Sequence, residues 1–277
     1  MSTYTIGFIG AGNMATSLIA GLIADGQDPL RITASDPDKD KLSQLAARFG
    51  VAVAEDNQNA VLEADVVLLA VKPQVLEQVA RGLASAIQRR RPLVVSIAAG
   101  VREADLDGWL GGGVALVRSM PNTPAMVQSG ATVLHATARV SAQQKDLAES
   151  ILRAVGVTQW VENEQLLDAV TALSGSGPAY FFLVMEALEE AGKELGLKPE
   201  TAHLLTLQTA LGAARMAMES RDSPATLRHR VTSPGGTTER AVEVLETGGL
   251  RDLFRQALNA ARDRSVELSS LLGERRA

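Results

Sequence analysis

The chain has 277 residues, a formal net charge of −5, 46% apolar and 21% charged residues, three histidines and no cysteine. This is a soluble globular composition, long enough for two domains, and its negative charge argues against a nucleic-acid partner. The missing cysteines exclude disulfides and thiolate chemistry, and His135, His203 and His229 are too scattered in sequence to suggest a metal site.

From residue 4 to about 161, strand-like runs alternate with helical patterns: "TIGFIG", "LRITAS", "DVVLLAV", "LVVSIA", "VALVRSM", "ATVLHAT" and "VTQWV". Such alternation predicts an α/β fold with a doubly wound, Rossmann-type parallel sheet. No helix is evident between the last "ALVRSM" and "ATVLHAT", so an antiparallel pairing is expected there. The run Arg89–Arg91, just before "PLVVSI", reads as a solvated helix end. Beyond residue 162 the strand signals vanish, and helical patterns follow at about 163–172, 178–195, 199–219, 236–247 and 250–272. The expected division is therefore a dinucleotide-binding domain over 1–161 and an all-α domain over 162–277.

The stretch "TAHLLTLQTALGAARMAM" is apolar on several faces, so it needs cover on more than one side, and a partner subunit is the expected source. His203, Gln208 and Arg215 interrupt it, which argues against a membrane span. Nothing near the first residues has the pattern of a targeting leader, so a cytoplasmic protein is the default expectation.

The chemistry begins at "IGFIGAGNMATSLIAGL". Gly10 and Gly12 fall between a buried strand and a helix whose apolar positions include Met14, Leu18 and Leu22, and Ala15 is the third small residue. A turn of this kind brings bare backbone and free helix-start N–H groups close to a pyrophosphate. After the second strand, "SDPDKDK" offers Asp36 for the ribose hydroxyls of NAD, or Asp36–Pro37 as the start of a helix, or Ser35 with Lys39 and Lys41 for the 2′-phosphate of NADP. "AVKP" places Lys72 at a strand exit, with Pro73 opening the next helix, and "MPNTP" is a further rigid strand exit. "SGSGPAY" and "SPGGTTERAV" read as helix openings, and the second suits a carboxylate.

"GAGNMA", "AVKP", "MPNTP", "SGSGPAY" and "VTSPGGTTERAV" resemble, in this order and along nearly the whole chain, the motifs of the pyrroline-5-carboxylate reductase family. The resemblance implies reduction of 1-pyrroline-5-carboxylate to L-proline by hydride transfer from NADPH or NADH, the last step of proline biosynthesis. It implies a homodimer formed by the helical half, with dimers assembling further into a ring. Pyrophosphate would lie on Gly10, Ala11, Gly12, Asn13 and Met14, the adenosine ribose near Ser35 and Asn57, and nicotinamide near Ala70, Val71, Lys72, Pro73 and Ala98. The substrate carboxylate would be held by Ser233, Gly236, Thr237 and Thr238, with the Thr238 hydroxyl on the ring nitrogen. Asp36 departs from the neutral residue that many relatives carry. NADPH is the expected cofactor, with NADH as the alternative, on the reading that Asp36 caps a helix while Ser35 and the lysines serve the phosphate.

Reducing a protonated cyclic imine needs no strong general acid, which agrees with a site lacking histidine and carboxylate. The competing reading, a 3-hydroxyacid dehydrogenase, calls for a lysine on the helix after the glycine-rich turn; here "PAYFFLVMEAL" has none before Lys193.

Overall fold

The computed structural model describes residues 4–273. They form two compact units: one holds the chain up to Ser176 together with the residues from Ala260 onward, the other Gly177–Asn259.

In the first unit, strands β1 (Ile6–Ile9), β2 (Ile32–Ser35), β3 (Ala52–Val53), β4 (Val66–Leu69), β5 (Leu93–Ser96), β6 (Leu116–Met120), β7 (Gly130–Ala136) and β8 (Gly156–Trp160) make one sheet. Its order is β3-β2-β1-β4-β5-β6-β7-β8. Pairing is parallel except between β6 and β7, the antiparallel step that the missing helix predicts. The short β3 is an element the apolar pattern did not reveal.

Helices cover both faces, because each central strand alternates its side chains between two cores. Ile6, Phe8, Val66, Leu68, Leu93 and Val95 face α1 (Asn13–Ala24), α2 (Lys39–Phe49) and α6 (Ala142–Arg153). Ile9, Val67, Leu69 and Val94 face α3 (Asn57–Leu62), α4 (Pro73–Arg90) and α5 (Glu103–Trp109). Gly7 is required by this packing: a Cβ there would lie 2.5 Å from the Ala60 carbonyl oxygen of α3. Arg90 and Arg91 close α4 as expected, Arg90 pairing with Asp65 at 2.6 Å.

The compact units do not follow the expected 161/162 division. The segment expected to be one α-helix over 163–172 is α-helical as α7 (Leu166–Val170) and continues as a π-helical turn, Thr171–Gly175. This segment is tied to the sheet: Arg118 of β6 pairs with Glu164, and Asp168 accepts from Arg102 at 2.7 Å and from Ser265 at 2.7 Å. Ser265 lies on α12 (Leu250–Gly273), so the last turns of that helix belong with the sheet.

The second unit comprises α8 (Gly177–Glu194), α9 (Pro199–Glu219), α10 (Pro224–Arg230), α11 (Thr237–Thr247) and the start of α12. The short α10, capped by Ser223, is an addition to the expected helices. Helices α8 and α9 pack together. Yet only Ala202 of α9 is buried, and Leu204, Met216 and Met218 are 65%, 59% and 78% exposed. Among the described residues no helix is long and apolar enough to cross a membrane.

Candidate functional site

Strand β1 ends at Ile9 and the chain turns sharply through Gly10, whose φ is +104°, a conformation that disfavours any side chain. A Cβ at Gly10 would also stand 2.6 Å from the Ala70 carbonyl oxygen. Gly12 is the N-cap of α1, with no side chain covering the free N–H groups of the first turn, and a Cβ on it would meet nothing within 4 Å. The space and the donors both suit an anion laid against backbone. Asn13 is exposed, Met14 partly buried and Ala15 fully buried against the sheet.

Parallel pairing brings the other predicted dinucleotide residues to the same end of the sheet. The Ala70 N–H donates to Ile9 at 2.8 Å and the Gly10 N–H to Ser35 at 2.8 Å. Ala98, buried beyond the end of β5, is held by the Ser96 hydroxyl. Lys72 is the exposed N-cap of α4 and Pro73 its first residue, as the sequence predicts. The sheet order reverses direction between β1 and β4, so these residues line the crevice where open α/β sheets bind ligands.

One expectation at the adenosine end is corrected. Asp36 does not cap a helix: α2 begins at Lys39, and its cap is Asp38, which accepts from the N–H groups of Asp40 and Lys41 at 3.1 and 3.2 Å. The Asp36 carboxylate instead accepts from the N–H groups of Ala11 at 2.8 Å and Asp38 at 2.9 Å, which pins it to the glycine turn. Ser35 is 1% exposed and its hydroxyl donates to Asn57 at 2.7 Å, which links β2 to α3. Lys41 pairs with Asp38 at 3.3 Å.

"MPNTP" and "SGSGPAY", which the sequence leaves without a shared role, meet in the structure. The Asn122 side chain accepts from the Ala131 N–H at 2.9 Å and donates to the Ser174 carbonyl oxygen at 3.0 Å, a group within the π-helical turn. Met120 packs against Gly175, where a Cβ would lie 2.4 Å from its methyl group. The turn so fixed sets Thr171 and Ser176 into a cleft of about 640 Å³ that also includes Pro73, Ala99, Gly100 and Leu268. Sequence spacing had no means of joining these motifs, which lie 52 residues apart at the Asn122–Ser174 contact.

The predicted carboxylate site lies in the second unit. Gly236 is the N-cap of α11, without a side-chain cap; Thr237 and Thr238 are its first residues, exposed and half-buried respectively. Gly235 takes φ +72°, and its N–H donates to Glu239 at 2.7 Å, while the Gly236 N–H donates to Ser233 at 3.0 Å. These bonds hold the loop and leave the first-turn N–H groups of α11 outside its own ladder. Thr238 sits inside the helix rather than capping it, and among the described residues its hydroxyl has no hydrogen-bond partner. His135 is structural, between the Val161 carbonyl oxygen and Glu103, both at 3.1 Å, and His203 pairs with Glu189 at the surface. No cluster of metal-ligating side chains occurs among the described residues.

Residues 164–268 match the family described as "Pyrroline-5-carboxylate reductase dimerisation", and residues 5–100 match "NADP oxidoreductase coenzyme F420-dependent". The chain is 53% identical, over 99% of its length and 100% of the other's, to pyrroline-5-carboxylate reductase of Pseudomonas aeruginosa. Among solved structures, pyrroline-5-carboxylate reductase from Coxiella burnetii aligns over 97% of this chain and 99% of the other, with TM-score 0.93 and 52% identity. Plasmodium falciparum pyrroline carboxylate reductase with NADP bound aligns over 97% and 99%, with TM-score 0.85 and 27% identity.

Proposed function

The chain belongs to the pyrroline-5-carboxylate reductase family, and we propose that it reduces 1-pyrroline-5-carboxylate to L-proline with NAD(P)H through the residues described above. The bound dinucleotide would supply a hydride from nicotinamide C4, which adds to the imine carbon, while the ring nitrogen arrives protonated from water. Gly10, Ala11, Gly12, Asn13 and Met14 would hold the pyrophosphate; Ala70, Val71, Lys72, Pro73 and Ala98 would border the nicotinamide. Ser233, Gly236 and Thr237 would hold the substrate carboxylate, and the Thr238 hydroxyl would accept from the protonated ring nitrogen. We assign dinucleotide binding to residues 1–161 and substrate binding with dimerisation to 162–277, and place the reaction in the cytoplasm.

The observation that carries the reading is the helix opening at Gly236, with unused backbone donors, an unpartnered Thr238 hydroxyl and no acid or base of its own beyond Glu239, which is occupied by Gly235. It suits an enzyme that works by positioning an already protonated imine. The 3-hydroxyacid dehydrogenase reading lacks its base, since α8 carries no lysine before Lys193 in its last turn.

Following NAD(P)H absorbance with pyrroline-5-carboxylate tests the reaction, and Thr238→Ala tests the site. Loss of one neutral hydrogen bond, about 0.5–1.5 kcal/mol, predicts a roughly three- to tenfold fall in kcat/KM, with Tm nearly unchanged. Unchanged kcat/KM would remove Thr238 from the reaction.

A further inference from the structure

We infer that Asp168 is a positioning residue for the reduction: without lining the cleft of about 640 Å³, its carboxylate joins the three walls that enclose it and holds them in one arrangement. The inference rests on the nicotinamide assignment proposed above, since Pro73 belongs both to that assignment and to the cleft.

Pro73 and Gly100 form the first wall, at the exits of β4 and β5; Thr171 and Ser176 form the second, at the two ends of the π-helical turn; Ser265 and Leu268 of α12 form the third. Asp168 lies on α7 just before that turn and is 5% exposed. One of its oxygens accepts from the Ser265 hydroxyl at 2.7 Å, and the other from Nη2 of Arg102 at 2.7 Å. Arg102 is the N-cap of α5 and closely follows Gly100 in the chain. A single carboxylate thus ties each wall to the other two. Among the described residues Nη1 of Arg102 is buried without a hydrogen-bond partner, so the bond from Nη2 to Asp168 fixes where the guanidinium sits. Helix α12 rests directly on the β5 exit: a Cβ on Gly100 would stand 3.6 Å from Leu272 and 3.8 Å from Leu268. The Ser176 N–H closes the π-helical turn on the Thr171 carbonyl oxygen at 2.8 Å, a geometry that helices adopt rarely and mostly at functional sites. A buried ion pair adds little net stability over apolar packing, but its hydrogen bonds are directional, and direction is what three converging walls require. Misplacing reacting groups by about 1 Å costs about a hundredfold in rate.

The test measures kcat, KM and the isotope effect of C4-deuterated NAD(P)H in the unmodified enzyme, Asp168→Asn, Ser265→Ala and Ser265→Thr. Dissociation constants for NAD(P)H, sedimentation, Tm and amide hydrogen exchange are read on the same preparations. Asp168→Asn keeps the shape but takes the counter-charge from Arg102; Ser265→Ala removes only the α12 link, and it decides alone should the asparagine variant fail to fold. Both should lower kcat by about tenfold or more, with the NAD(P)H dissociation constant within about twofold and an isotope effect no smaller than that of the unmodified enzyme. The Ser176 N–H should exchange faster in both while β1, β4 and β5 stay protected. Ser265→Thr, which keeps the hydroxyl, should recover kcat to within about threefold. A purely structural Asp168 would lower Tm but leave kcat and exchange at Ser176 unchanged in the folded fraction, which would overturn the inference. A fall in kcat fully explained by dissociation of subunits would overturn it too. Absence of turnover in the unmodified protein would instead overturn the reductase reading, and the inference with it.

Discussion

The two units of this chain treat their apolar residues in opposite ways. In the first, every residue of β1, β4 and β5 is buried, and helices close over both faces of the sheet. In the second, α9, the longest helix lying wholly within it, buries only Ala202, and α8 leaves Phe181, Phe182 and Leu183 about two-thirds exposed, at 68%, 64% and 65%. A parallel sheet finds its cover locally, because each crossover helix is laid on a face by the chain itself. A pair of long helices has no such neighbour on its outer sides, and so much exposed apolar surface marks an interface. Combined with the family match over residues 164–268, the contrast supports a dimer built on the helical half.

The largest expected effect comes from spoiling that surface. Leu207→Asp with Leu211→Asp on α9, both residues half-exposed in the single chain, should abolish association and lower turnover on the order of a hundredfold or more, because an obligate interface of roughly 2,000 Å² or more tolerates no buried unpaired charge. Sedimentation and kcat on one preparation check it, and the same sedimentation run on the unmodified chain reports any assembly beyond the dimer. An active, undiminished dimer would end the contrast.

Leu68→Ala probes the other side of the comparison. Leu68 is fully buried in the sheet core, and its truncation should cost about 2–5 kcal/mol in denaturant unfolding while leaving the association constant unchanged. A change in association would show that the two units do not keep separate accounts of apolar burial.

The smallest effect concerns how the helical unit is held laterally. Glu246 of α11 accepts from Arg251 of α12 and Arg228 of α10, and these partners, Arg251 foremost, hold its carboxyl down at about 2. The stabilisation is complete above the ordinary glutamate range and is lost as pH falls toward that value. Since the group is exposed, Glu246→Gln should lower Tm only slightly at neutral pH, and the difference should vanish at about 1 M salt. A large, salt-independent loss would mean that the second unit has an electrostatic core in place of the apolar one it lacks.

Where the relevant physics is local, the sequence by itself determined the outcome. The strand–glycine–helix opening at Gly10–Met14, proline at the first position of α4 and the glycine N-cap of α11 follow from φ preferences and from unsatisfied N–H groups at helix starts, which operate within a few residues. The antiparallel β6–β7 pair was legible because no crossover helix lies between the strands. Only the tertiary structure decided the rest. "SDPDKDK" offers two aspartates able to start α2, and the choice of Asp38 depends on the parallel β1–β2 register, which brings Asp36 to the Ala11 N–H and removes it from the helix. The π-helical turn has no short-range signature here, and its Ser174 carbonyl oxygen is satisfied by an asparagine 52 residues away. Asp168 likewise gathers Arg102 and Ser265 from separations of 66 and 97 residues, drawing the end of α12 to the sheet unit. Periodicity and capping rules reach only as far as a turn or two of chain, whereas a buried carboxylate or carbonyl is paired with whichever donor the fold brings within reach.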